Sequence, residues 1–140
     1  MSTDLRQEVE DWFREVWNNN NDQFIYDNVH EDCQAIELPG FPKGPEGFVM
    51  FKKTFCESIT DLYFDLKRVV VEGDEVMGMC LINGTDIDSK TKVQFTLAFY
   101  AKYKDGKIIE IENYPDHYSY LAQTGDLCGQ TLLKKWNISI

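Results

Sequence analysis

From Leu62 to Tyr114 the apolar pattern runs at a period of two, and this limits the fold more than any other feature of the chain. Leu62 to Glu72, Val76 to Asp86, Lys92 to Tyr103 and Lys107 to Tyr114 read as four strands. They are separated by Gly73-Asp74, by Asp88-Ser89-Lys90 and by Asp105-Gly106. Turns this short force antiparallel neighbours, because a parallel crossover needs about a dozen residues or more. Val93, Phe95, Leu97, Phe99, Ala101 and Tyr103 make one apolar face, with Gln94, Thr96, Ala98 and Tyr100 opposite. Strands of this length twist, so the sheet is expected to curl around whatever covers its apolar side.

The first part of the chain supplies that cover. Leu5, Val9, Trp12, Phe13, Val16 and Trp17 form one stripe at helical spacing, with Thr3 or Asp4 placed to cap it. The Asn18 to Asn21 run ends this helix, and Asp22 is expected to cap a short second one carrying Phe24, Ile25 and Val29. Cys33 to Leu38 reads as a short strand, closed by a Pro/Gly-rich loop from Pro39 to Gly47. Pro45 suits the first turn of a third helix with Phe48, Phe51, Phe55 and Ile59 as its apolar face. Helices followed by a meander predict one α+β domain over residues 1–140. Its curved antiparallel sheet of four long strands and a short one wraps about three N-terminal helices and encloses a pocket. Trp136, Ile138 and Ile140 alternate in the tail, which is compatible with an edge strand in this subunit or a partner.

Net charge excludes several partners. At −10, with no Lys/Arg cluster longer than Lys134-Lys135, the chain is expected to repel nucleic acid and anionic membrane surfaces. No apolar run approaches the roughly 20 residues that span a bilayer. The start MSTDLRQEVEDW lacks the apolar core of a secretion signal, so a cytoplasmic location is expected. Cys33, Cys56, Cys80 and Cys128 are far apart and only His30 and His117 could assist them, so they are expected to be buried free thiols. No metal site and no cofactor motif is apparent.

The chemistry-bearing stretch is Lys107 to Gly125, KIIEIENYPDHYSYLAQTG. Glu110, Glu112, Asn113, Asp116 and His117 crowd the end of the last strand. Asp116 suits two tasks: a general acid/base, or the N-cap of a helix from His117 to Gln123. Glu110 and Glu112 read as a solvated face, unless Glu112 turns inward and pairs with Asp116. Asn113 could meet a ligand oxygen or satisfy turn backbone. His117, next to Asp116, is expected on the opposite side and at the surface.

The order helix, short helix, strand, Pro/Gly loop, helix and meander resembles the cystatin-like cone fold of the nuclear-transport-factor-2-like superfamily. Within it, Gly106-Lys107-Ile108-Ile109-Glu110, then Asp116, then Gln123-Thr124-Gly125 resembles the closing motif of the SnoaL-like polyketide cyclases, and Gly84-Thr85 resembles their central-strand pair. The resemblance covers about residues 4–125, leaving 126–140 as a tail. It implies a small-molecule pocket protein of the cofactor-free cyclase, isomerase or dehydratase type, with Asp116 as acid/base on an apolar ligand, and a homodimer. The pocket would be walled by Trp12, Phe55, Tyr100, Glu112, Asn113 and Tyr114. Departures are Glu112 at the family's Trp, Asp86 where a His often follows Gly-Thr, and Glu37 one position from the isomerases' base. The alternative is a non-catalytic ligand-binding or dimeric assembly module on the same fold.

Overall fold

Asp4 opens the first helix by accepting hydrogen bonds from the amides of Arg6 and Gln7 at 3.1 and 3.3 Å, the ordinary way to satisfy free helix donors. The computed structural model describes residues 4–35, 39–128 and 130–137. Helix α1 covers Leu5–Trp12 and continues as a π-helical turn over Phe13–Asn18. Helix α2 covers Asp22–Asn28, with Asn21 rather than Asp22 in the cap position. Helix α3 covers Pro45–Ser58, with its proline in the first turn. Lys52 of α3 is buried, and it pairs with Asp22 at 2.7 Å and hydrogen-bonds Asn20. A buried cation is tolerated when it is paired in this way, and here it ties α2 to α3.

Four strands follow: β1 Ile59–Glu72, β2 Glu75–Asp86, β3 Lys92–Lys104 and β4 Lys107–Pro115. They pair antiparallel in the order β1-β2-β3-β4. Ile59, read from the sequence as part of the α3 stripe, instead opens β1 and is buried there. The inward row of β3 is the one expected, with Val93, Phe95, Leu97, Phe99, Ala101 and Tyr103 all buried. Opposite them on β2 lie Val76, Gly78, Cys80, Ile82 and Gly84.

Curvature has identifiable causes. The β1–β2 register slips between Thr60 and Tyr63 and again between Leu66 and Arg68, and bulges bend the strand that carries them. The two inward glycines of β2 sit beside these slips. A Cβ on Gly84 would lie 2.4 Å from the Ile59 side chain, and one on Gly78 would lie 2.1 Å from the Arg68 carbonyl oxygen. Strand glycines mark such close approaches. The sheet therefore coils, with α1, the π turn, α2 and α3 against its inner face. The architecture is α+β, the cone fold.

A third irregularity, in β4, matters for the site. Lys102 pairs with Glu110 while Tyr103 pairs with Ile108, leaving Ile109 as the extra residue. Because a one-residue slip exchanges the two faces of a strand, Ile108 and Ile111 both point inward.

Three further expectations differ from the structure or fall partly outside the described residues. Cys33 to Ala35 form no strand, and Ile36 to Leu38 lie outside the described residues; the pairing made nearby is a single parallel bridge between Val29 and Ile108. In the tail, Thr131–Lys135 is a short helix and Trp136 follows it in a turn; Ile138 and Ile140, on which the edge-strand expectation rests, lie outside the described residues. Cys33 and Cys80 are buried free thiols, but Cys56 is half-buried and Cys128 exposed. Burial pushes Cys33 up to about 11 and Cys80 up to about 12, so neither is poised as a thiolate nucleophile.

Candidate active site and its sheet-end helix

The helices and the inner face of the sheet leave a cavity of about 370 Å³ between them. Its walls are mostly aromatic. Trp12, Phe13 and Trp17 come from α1 and the π turn, Phe48, Phe51 and Phe55 from α3, and Phe64 from β1, with Ala35, Ile82 and Leu97 completing the apolar surface. The rings are held edge to face or stacked: Trp17 on Phe64 at 4.4 Å and 15°, Trp17 against Phe55 at 5.7 Å and 76°. Such mutual contacts fix the rings' orientation as well as burying them. The remaining lining residues are Asn113, Pro115 and His117.

These three alternate along the chain, and the β4 bulge explains why. With Ile111 facing inward, Asn113 and Pro115 follow it at a period of two, and His117 continues the row into the first turn of the next helix. Glu110, Glu112 and Tyr114 face the other side of the sheet, where they border an open groove with Arg68, Val70, Glu75, Met77, Met79 and Tyr100. The Tyr114 hydroxyl donates to Glu112 at 2.7 Å and the Tyr100 hydroxyl to Glu75 at 2.6 Å. Of the six expected pocket residues, Trp12, Phe55 and Asn113 line the cavity, whereas Tyr100, Glu112 and Tyr114 lie on the outer face. The position of Glu112 removes the inward carboxylate pair with Asp116. His117 is exposed, as expected of a surface imidazole, and it also lines the cavity.

Asp116 is exposed and caps helix α4, His117–Thr124, by accepting from the Ser119 amide at 2.9 Å. Gly125 ends α4 in the left-handed conformation, φ 84°, which glycine adopts without strain. Between the two caps, the Gln123 side chain clasps the backbone of β3: it accepts from the Gln94 amide at 3.0 Å and donates to the Gln94 carbonyl at 2.9 Å. The β3–β4 ladder runs only from Leu97↔Pro115, so this amide pairs a stretch of β3 beyond the end of β4. Asp116, Gln123 and Gly125 thus each have a physical task in holding α4 across the sheet end.

Asp86 and Tyr120 make a second fastening. The buried Asp86 carboxylate accepts from the Tyr120 hydroxyl on α4, and from the amide and hydroxyl of Ser89 at 2.9 and 2.8 Å. Tyr120 also packs on Phe95 at 5.1 Å. The Tyr120 bond first, and then the two from Ser89, hold the Asp86 carboxyl below the usual range. Burial, then the same bond to Asp86, pushes the Tyr120 phenol up. Asp86 and Tyr120 lie 34 positions apart, so no local sequence pattern joins them. Among the described residues, no group of three or more His, Cys, Asp or Glu side chains converges as a metal site, and no helix is long and apolar enough to cross a membrane.

The profile of the SnoaL-like polyketide cyclases matches residues 7–124. The chain belongs to the SnoaL-like polyketide cyclase family. Solved structures of similar shape carry the same cone. TsrD from Streptomyces laurentii superposes with a TM-score of 0.79 at 19% identity, over 88% of this chain and 96% of its own. A candidate polyketide cyclase from Bacillus cereus gives 0.71 at 23% identity, over 84% and 77%. IdmH from Streptomyces antibioticus, also a candidate polyketide cyclase, gives 0.76 at 20% identity, over 88% and 99%. No curated protein matches. These identities carry the fold; the site of this SnoaL-like chain has to be argued from its own residues.

The fastening of α4 has a pH signature. A carboxyl held below its unfolded-state value stabilises the fold at pH above that value, and the contribution is lost as pH falls through the folded-state value. Tyr120→Phe removes the largest cause of the shift. It should cost about 1 kcal/mol near neutrality, and its Tm deficit against wild type should shrink as pH falls below about 4. Melting curves across that range check this. A deficit constant with pH would show that the Asp86 bond is not its origin.

Proposed function

We propose that this SnoaL-like protein holds an uncharged apolar small molecule in the aromatic cavity and, as a cofactor-free cyclase, isomerase or dehydratase, moves a proton on it. The observation that carries this reading is the cavity itself. It has the volume of a small-molecule site, walls of packed rings, and its polar side chains gathered at one end, on the segment Asn113 to His117. In this reading Asp116 is the acid/base. In the sequence it lies between two cavity-lining residues, Pro115 and His117, and its carboxylate would exchange the Ser119 amide for the ligand. One observation favours the second reading, a non-catalytic binding module: Asp116 is exposed and already hydrogen-bonded as a helix cap. Asp116→Asn keeps an acceptor for the cap and removes the proton-carrying group, so it preserves the fold in both readings and abolishes turnover only in the first.

We further propose a homodimer through the outer face of the sheet. Val70, Met77, Met79 and Tyr114 are exposed there, on β1, β2 and β4, and a contiguous exposed apolar patch marks an interaction surface. The face carries Arg68 together with Glu75, Glu110 and Glu112. A two-fold axis passing between Arg68 and these carboxylates would set each copy's arginine against the other's carboxylates, as a self-complementary interface requires. Met77→Lys should convert a dimer to a monomer in sedimentation analysis while the melting transition remains cooperative. A monomeric wild type at micromolar concentration would refute the dimer.

Ligand holding has a direct assay. N-phenyl-1-naphthylamine, neutral and fluorescent when removed from water, should bind at one site per chain. Ala35→Phe, which places a ring inside the cavity, should weaken binding by about tenfold or more while leaving the fold intact. Unchanged binding in that variant would place the probe elsewhere and remove the support for a ligand cavity.

A further inference from the structure

The cavity's polar atoms are few, and their placement constrains what can occupy it. Among its lining residues, side-chain polar atoms belong to Asn113, His117 and the indoles of Trp12 and Trp17. No lysine, arginine, aspartate or glutamate lines it. Among the described residues, no hydrogen bond from the rest of the protein engages the Asn113 amide or the His117 imidazole. They project from the same side of the segment, at positions four apart with Pro115 between them, and Asp116 lies outside the lining. Both side chains are exposed and unengaged beside an aromatic wall, an arrangement that orients a ligand by one end.

We infer that Asn113 and His117 together read a single oxygen, a hydroxyl or carbonyl, at the end of an otherwise apolar ligand. This rests on the small-molecule reading above and adds the ligand's chemistry and the residues that recognise it. An amide offers both donor and acceptor, and a neutral imidazole offers one of each, so the pair accommodates either form of an oxygen that exchanges a proton. A charged ligand group is disfavoured. It would lose its hydration against aromatic walls with no counter-ion among them, and an anion would also meet a protein of net charge −10. Asn113 and His117 are positioning residues here. They hold the oxygen end beside the Asp116 segment, whichever group moves the proton.

Naphthalene, 2-naphthol and 2-naphthoate share a ring system and differ at one position, which isolates the recognition of that position. Calorimetric titration of the full chain should show 2-naphthol binding about tenfold more tightly than naphthalene, the yield of a well-made hydrogen bond, and 2-naphthoate more weakly than 2-naphthol. His117→Phe and Asn113→Leu should each bring 2-naphthol down toward naphthalene while leaving naphthalene itself unchanged, a pattern that a merely structural role would not produce. Two variants keep the comparison available if one of them fails to fold. Equal binding of naphthalene and 2-naphthol to wild type, or a preference that survives both substitutions, overturns the assignment while leaving the apolar cavity in place. Absence of binding by all three compounds overturns the small-molecule reading, and the assignment with it.

Discussion

Phe64 is the residue at which helices and sheet are joined. Its ring stacks on Trp17 at 4.4 Å and also meets Phe13 and Phe55 at 6.1 and 6.4 Å. Its backbone is held as well: the Asn18 side chain donates to the Phe64 carbonyl at 2.9 Å and accepts from the Phe64 amide at 2.8 Å. Strand β1 is an edge of the sheet, and an edge leaves backbone groups that must find partners. Asn18 supplies both partners at one residue, at the end of the π turn. The clasp sets where the first helix ends against the strand, and with it the placement of Trp12, Phe13 and Trp17 around the cavity. Aromatic contacts of this kind are worth roughly 0.5–1.5 kcal/mol each beyond burial. Several converging on one ring make Phe64 a poor place for substitution.

The same device recurs at the other end of the molecule. Gln123 clasps Gln94 on a stretch of β3 that β4 does not reach, and Tyr120 fixes the helix to Asp86. A side-chain amide reproduces the donor and acceptor of a backbone peptide, so it can stand in for a missing strand at a single position. Two amides, Asn18 and Gln123, thereby finish a four-stranded sheet at its irregular margins, and the cavity lies between the segments that they fasten.

Much of this was legible in the sequence because it rests on periodicity. The alternation from Val93 to Tyr103 and the short turns fixed the meander, and the stripe from Leu5 to Trp17 fixed the first helix. The faces of β4 were not legible. A single extra residue, Ile109, reverses inside and outside, and nothing in the β-branched run Ile108, Ile109, Ile111 announces which of them bulges. Glu112, whose charge reads as a solvated face, and Tyr114 therefore lie outward, while Asn113 lies inward. Adjacent residues oppose each other, so Asp116 and His117 take opposite sides; the resemblance favours the carboxylate for the inner one, whereas the row of alternate residues from Asn113 selects His117. The clasps of Asn18 and Gln123 and the Asp86–Tyr120 bond join residues far apart in sequence, and no local pattern carries such pairings.

In the proposed function the interior between helices and sheet, rather than the exposed outer face, receives an apolar molecule. Methyl-resolved NMR of protein labelled at isoleucine and methionine tests it, because Ile82 lines the cavity while Met77 and Met79 lie on the opposite face. Titration with N-phenyl-1-naphthylamine should shift the Ile82 δ1 methyl and leave the Met77 and Met79 ε methyls in place. Shifts confined to Met77 and Met79 would contradict the account and make the outer face the binding surface.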